Sequence, residues 1–242
     1  MSEDKVSVVF FDAHAGDMIN TSAGTIANYT RAGHRVTLVA LNPGEKGNPK
    51  LGVEEYTKVK LEFWEKAAEI LGVTDVRTLK WKDAETPYNE EVTNTCCDIM
   101  REVKADIVVT HWKGSFHKDH VNTYKNVMDA AFLAGLPAFE REYPAYEAKK
   151  IYFTDNWEDW EDYEPDTYID ITDTFELKLE AIDQFWKTLR KRTPIHEGAF
   201  NYKEFYEALA RVRGCLSRKY EYAECYSTAG YMPAVSVDFL PL

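Results

Sequence analysis

Five residues in two short turns offer this sequence's most specific chemistry. His14 and Asp17 fall in the turn Ala13-His-Ala-Gly-Asp17, and His117, Asp119 and His120 fall together in a later one. A third histidine of that second stretch, His111, lies just upstream. Two histidines and one carboxylate make a tridentate metal set that leaves a position open for water or substrate. A closed structural zinc site would more often use cysteine, whereas Cys96, Cys97, Cys215 and Cys225 lie far from both turns and form no CxxC pair. One histidine in a turn is ordinarily a hydrogen-bonding surface residue. Two such motifs, each following an apolar run, point instead to a metal site built from His14, Asp17 and one of the later histidines. Zn2+ suits this set, and so do Fe2+ and Mn2+.

The surrounding pattern explains how the turns could meet. Residues 6–11 are a short apolar run, as in a buried parallel strand. Thr21-Ser22 can cap a helix running to Ala32, Gly33 ends it, and residues 35–41 read as the second strand. The loop 42–52 is rich in Gly and Pro. The helix 54–71 carries Tyr56, Val59, Phe63, Ala67 and Ile70 at spacings of three and four. A strand at 76–79, a helix at 90–103 and a strand at 107–110 lead into the second turn, and the following helix shows Val121, Tyr124, Met128 and Phe132 on one side. Strands at 150–153 and 168–171 flank the acidic, aromatic stretch 155–166. Thr172 or Asp173 caps a helix bearing Phe175, Leu179, Ile182, Trp186 and Leu189. A loop at 190–201 and a helix at 202–214 precede the tail. Alternating strands and helices predict an α/β, Rossmann-like fold with a mostly parallel sheet, helices on both faces, and the site at the strand carboxyl ends. Strands one and four are commonly neighbours at the switch point of such a sheet, which would bring the two turns together. No repeat or low-complexity linker interrupts the pattern, so one domain over residues 1–242 is expected.

Composition removes several classes of function. The chain has 242 residues, 45% of them hydrophobic, enough to bury a full core. A net charge of −12 argues against nucleic acid as a partner. No apolar run approaches the roughly 20 residues that span a bilayer, and Met1–Lys5 lacks a signal-peptide pattern, so a cytoplasmic protein with reduced, buried thiols is expected. G-x-G-x-x-G is absent from the first turn, which disfavours a dinucleotide. The aromatic segment Trp157-Glu-Asp-Trp-Glu-Asp-Tyr163 suits an amphipathic edge, a sugar-stacking surface or a homo-oligomer contact.

With these residues in place, the chain resembles the PIG-L or LmbE-like family of zinc-dependent N-acetyl deacetylases. Members typically open with a strand and Ala-His-Pro-Asp-Asp, then a Gly-Gly-Thr helix, and here Ala13-His-Ala-Gly-Asp17 is followed by Ala23-Gly-Thr-Ile-Ala27. The family's Gly-Glu loop corresponds to Pro43-Gly-Glu-Lys-Gly47, and its Glu-rich helix ending in Leu-Gly to Ala67-Ala-Glu-Ile-Leu-Gly72. Its His-Pro-Asp-His signature corresponds to His117-Lys-Asp-His120. Tyr168-Ile-Asp-Ile-Thr172 and Tyr222-Ala-Glu224 extend the likeness to nearly the whole chain. The resemblance implies removal of an N-acetyl group from an N-acetylglucosamine-type conjugate. It implies His14, Asp17 and His120 as zinc ligands. His117 would polarise the acetyl carbonyl or protonate the leaving amine, with Asp119 orienting and charging it. Glu45, Lys46 and Asn48 lie where members contact the sugar. Arg211, Arg213 and Glu224 are placed either to reach the pocket or to brace the C-terminal segment.

One position departs from the pattern. The first Asp of the family's Asp-Asp pair is taken as the general base, and here it is Gly16, while Ala15 replaces Pro. General-base catalysis is worth 10²–10⁴-fold. Either Asp119, His117, Glu45 or Asp12 takes the proton, or water activated by zinc suffices, or the protein binds metal and sugar without turnover. An active enzyme is the expectation, because His117 and Asp119 are present. A hydrolase of another amide is the further alternative.

Overall fold

The computed structural model describes residues 5–48, 50–159, 161–194 and 200–228. Among the described residues, seven strands form one sheet in the order β3-β2-β1-β4-β5-β7-β6. The strands are β1 (Ser7–His14), β2 (Arg35–Asn42), β3 (Asp75–Thr78), β4 (Ile107–Thr110), β5 (Lys150–Thr154), β6 (Thr167–Asp170) and β7 (Ala223–Ser227). The helices are α1 (Asp17–Arg31), α2 (Val53–Ile70), α3 (Glu90–Val103), α4 (Lys118–Ala134), α5 (Phe175–Arg190) and α6 (Tyr202–Ser217). β1 pairs in parallel with both β2 and β4, in the registers Phe10↔Leu38 and Phe10↔Val109. The sheet order therefore reverses at β1, and the crevice beyond its carboxyl end is the switch point where ligands bind in such sheets.

Alternation along the central strands divides the core. Val8 and Phe10 of β1, with Leu38 and Ala40 of β2, face a layer containing Met18, Ile26, Phe63, Trp64, Leu179 and Ile182. Val9 and Phe11, with Val39 and Leu41, face Val92, Cys96, Met100, Val127 and Ala130. Both faces of the strands are covered, which is why they read as continuous apolar runs.

Four sequence expectations are corrected. β7 was not anticipated. It is a five-residue strand, Ala-Glu-Cys-Tyr-Ser, inserted antiparallel between β5 and β6. Its composition carries no strand signal, and its place comes from tertiary pairing. α1 begins at Asp17 rather than after Thr21-Ser22, because Asp12 on β1 accepts the Met18 N–H and caps the helix from the strand. On α4 the buried face is Thr123, Asn126, Val127, Ala130 and Ala134, whereas Phe132 is 59% exposed. Small residues bring α4 close to the sheet and α3, and Asn126 is satisfied by Pro87 O and the Thr93 hydroxyl. Of the four free cysteines three are buried, but Cys215 is exposed on α6. The expected loop 190–201 and the tail lie partly outside the described residues. Among the described residues no helix is long and apolar enough to cross a membrane.

Candidate metal centre

The turn after β1 is fixed by backbone bonds. Ala15 N–H donates to Asn42 O across the β1–β2 edge. Gly16 turns the chain with φ +107°, and a Cβ there would lie 2.3 Å from Phe63 Cε1. Glycine is thus required twice, by conformation and by space. The turn puts Asp17 in the first turn of α1, where its Oδ2 accepts the His14 N–H at 2.8 Å. After β4, His117 caps α4, its Nδ1 accepting the Asp119 N–H at 3.2 Å. His120, three residues on, turns back toward the sheet edge.

Three donor atoms meet between the turns. His14 Nδ1 lies 3.2 Å from Asp17 Oδ2 and 3.2 Å from His120 Nε2, and His120 Nε2 lies 3.4 Å from Asp17 Oδ2. Donors about 2.0–2.1 Å from a tetrahedral ion stand about 3.3–3.4 Å apart. The remaining ring nitrogens face carboxylates. His14 Nε2 is 3.2 Å from Asp83 and 3.5 Å from Asp119, and His120 Nδ1 is 3.0 Å from Glu158. Such backing places the proton on the outer nitrogen and leaves the inner lone pair for a metal. The residues fit a divalent ion on the chemistry of this donor set.

The electrostatics agree. Burial pulls the His120 imidazolium down, but Asp17 and Glu158 outweigh it and hold it up at about 9. Burial likewise opposes the charged form of His14, and Asp17, Asp119 and Asp83 outweigh it, so its pKa is raised well above the ordinary value. Burial pushes Asp17 up, but His14, His120 and His111 bring it well below the usual carboxylate range. This mutual stabilisation in the ion-free protein marks a place where one ion could replace shared protons.

His117 and His111 behave differently. Burial, then His14 and His120, hold His117 below its ordinary pKa, so it is neutral near pH 7. Its Nδ1 accepts from backbone, which leaves the hydrogen on Nε2. His117 therefore presents one N–H to the cavity it shares with His14, Asp17 and His120. His111 was not singled out as a site residue. It is fully buried, accepts the Ala13 N–H at Nε2, and stacks on His120 with centroids 4.0 Å apart. Burial and then His120 push it down to about 4. Its Nε2 also lies 3.4 Å from Asp17 Oδ2, so it packs against the donor cluster while it holds the end of β1 and the plane of His120. Its place as the first residue after β4 was the available signal.

The other expected residues are placed as follows. The Asp119 carboxylate binds Ala84 N–H at 2.7 Å and the Asn42 amide at 3.3 Å, so it backs His14 rather than His117. Glu45 accepts the Asp83 N–H, Lys46 reaches Asp83 O and Glu85, and Asn48 accepts from Lys50 and Leu51 N–H. Glu45 and Lys46 hold the stretch around Asp83 and Asn48 closes its own turn, while Gly44 and Gly47 line the cavity. Glu224 accepts the N–H groups of Gly24 and Thr25 inside α1 and pairs with Lys178, which donates to Asn20 O. Arg213 pairs with Asp155, and Arg211 with Glu221. All three brace the C-terminal segment. Sequence reasoning missed Asp83, Lys60, Asn156 and Tyr202 and named Glu158 only within the aromatic segment; all five line a cavity of about 180 Å³.

A sequence model described as GlcNAc-PI de-N-acetylase (PIG-L) matches residues 9–131, a little over half of the chain. The chain belongs to the PIG-L family. The matched region contains both turns. Within the wider set of relatives, diacetylchitobiose deacetylase of Thermococcus kodakarensis is 28% identical over 193 residues, covering 74% of this chain and 68% of that protein. The 4-oxalmesaconate hydratase of Pseudomonas putida is 26% identical over 191 residues, covering 75% and 74%. The solved structure of the 4-carboxy-2-hydroxymuconate hydratase of Pseudomonas putida superposes with a TM-score of 0.82 at 21% identity, covering 96% of this chain and 99% of that one. The α/β, mostly parallel fold is shared with that solved structure.

The position where the family pattern leads one to expect a general base is Gly16, whose Cβ space Phe63 fills. Of the four groups considered as its replacement, Asp12 caps α1, Glu45 holds Asp83 and Asp119 backs His14. Only His117 lines the cavity.

Proposed function

We propose that this protein is a metal-dependent N-deacetylase acting on a small N-acetylated amino-sugar compound, with zinc as the metal. One observation carries the reading: the donors His14 Nδ1, Asp17 Oδ2 and His120 Nε2 stand at ligand spacing, with a carboxylate behind each ring. A divalent ion on these donors supplies a Lewis acid for a carbonyl oxygen and acidifies water. The neutral His117 contributes its Nε2–H as a hydrogen-bond donor to oxygen that gains negative charge, a contribution worth about 10²–10³-fold where such donors have been removed elsewhere. Because Nδ1 of His117 is held by backbone, the arrangement supports polarisation of the carbonyl over proton delivery. Asp83 and Glu158 keep the ligating rings oriented. The Thermococcus relative's name supplies the substrate class. The relatives quoted are named for reactions, which favours turnover over binding alone.

The test is acetate release from diacetylchitobiose and simple N-acetylglucosaminides by zinc-loaded protein, with loss in His117→Ala. A zinc-loaded protein that releases no acetate from any of them overturns the deacetylase reading.

A second reading is addition of water to a conjugated double bond in a carboxylate-bearing compound. The relative named a hydratase favours it. Loss of ultraviolet absorbance from 4-oxalomesaconate without acetate release from the sugars selects this reading.

A further inference from the structure

Lys60 lies on α2, one turn before Phe63, in the wall of the same cavity. Its ammonium is 5.9 Å from the Phe63 ring centroid and 5.7 Å from that of Phe185. Among the described residues it has no hydrogen-bond acceptor and no carboxylate within ion-pair distance, unlike Lys46, Lys58, Lys66 and Lys80. The carboxylates that act on it through space, Asp17, Asp83 and Asp12, are committed to His14 and to the cap of α1. A Cβ at Gly44 would touch His14 Cβ at 3.0 Å and Lys60 Cε at 3.2 Å, so the amine stem is separated from a metal ligand by little more than one methyl group. The Tyr202 hydroxyl and the Asn20 amide line the cavity too, and neither has a partner among the described residues. With His117 Nε2–H, the wall presents more donors than the protein satisfies. An unpaired ammonium between aromatic rings is costly unless a ligand brings the counter-charge.

We infer that Lys60 is a specificity-determining residue that binds a carboxylate of the substrate beside the reacting group. The inference rests on the neighbouring centre being a metal site. A singly charged carboxylate suits the cavity better than a phosphate dianion, because Asp17, Asp83 and Glu158 already surround it. The reacting compound is then an acid: an N-acetylated sugar acid or related carboxylate in the deacetylase reading, an unsaturated acid in the hydration reading.

The test compares two kinds of hydroxamate on zinc-loaded protein by calorimetry. Acetohydroxamate is neutral at its far end, and the monohydroxamates of malonic, succinic and glutaric acids carry a carboxylate at increasing reach. At least one acid hydroxamate is expected to bind about tenfold tighter than acetohydroxamate, from one charge-assisted hydrogen bond. Lys60→Met is expected to remove that preference while leaving acetohydroxamate affinity and zinc content unchanged, and Lys60→Arg to keep it. Equal affinities in the native protein, or a preference that survives in Lys60→Met, overturn the assignment while the metal reading stands. A protein that retains no zinc and binds no hydroxamate overturns the metal reading, and this inference with it.

Discussion

Replacing Gly16 with Asp would put back the carboxylate the family pattern expects, and the structure predicts that the chain resists it. A Cβ at this position meets Phe63 Cε1 at 2.3 Å and Cζ at 3.0 Å, in the middle of the α2 core face. The backbone is at φ +107°, outside the range comfortable for a side chain. Such strain costs about 1–3 kcal/mol, and forcing a packed ring aside costs about 1–3 kcal/mol more. The sum, about 2–6 kcal/mol, is a large share of the ~5–15 kcal/mol that holds a domain folded. At about 2–4 °C per kcal/mol for a chain of this size, Gly16→Asp should melt about 4–24 °C lower. Phe63→Ala removes the obstacle, so the two changes should couple: in the Phe63→Ala background, Gly16→Asp should cost about 1–3 kcal/mol less. Calorimetric or urea melts of the four proteins measure this. A Gly16→Asp protein as stable as the parent, or a cost unchanged by Phe63→Ala, refutes the claim that Phe63 excludes a carboxylate here.

Three other outcomes are expected. Asp83→Asn or Glu158→Gln should weaken zinc binding about 10–100-fold in a competition titration with a chelator, since each carboxylate faces the outer nitrogen of a ligand. The ion-free protein should lose stability as pH rises from about 6.5 to about 9. His120 binds its proton more tightly folded, at about 9, than unfolded, so its contribution is complete below the unfolded value and is lost through the folded one. His120's share of the loss is about 3 kcal/mol at most, His14 adds to it in the same direction, the sum is read by denaturant melts across that range, and zinc should abolish it. Glu224→Gln should destabilise the protein by about 3–5 kcal/mol, because it leaves Lys178 charged and buried beside α1; chemical denaturation reads the change.

Much of the site was legible because its ligands sit in short motifs at the ends of apolar strands. A buried parallel strand announces itself by composition, and the turn after it inherits a known edge of the sheet. That sufficed to bring His14 and Asp17 near His120. What escaped comes from elements whose sequence gives no such mark. Asp83 lies in an irregular connection after β3, and only its bonds to Lys46 N–H and Glu45 place it behind His14. Lys60 borders the apolar stripe of α2, where a lysine ordinarily lays its stem along the surface and its charge in water. The pairing of Asp119 with His14 rather than with its neighbour His117 follows from the first turn of α4. There His117 is spent as the cap, and the Asp119 side chain is directed to Ala84 and Asn42. Glu224 reads either as a pocket residue or as a brace, and the two backbone N–H groups that α1 directs at it decide for the brace.

The most direct test of the central claim is crystallography of the zinc-loaded protein with anomalous data at the zinc edge. The account predicts one anomalous peak bounded by His14 Nδ1, Asp17 Oδ2 and His120 Nε2, each about 2.0–2.2 Å away, with His117 unbound and its Nε2 facing the open side. A peak ligated through His111 or His117, or no peak at full zinc saturation, contradicts it.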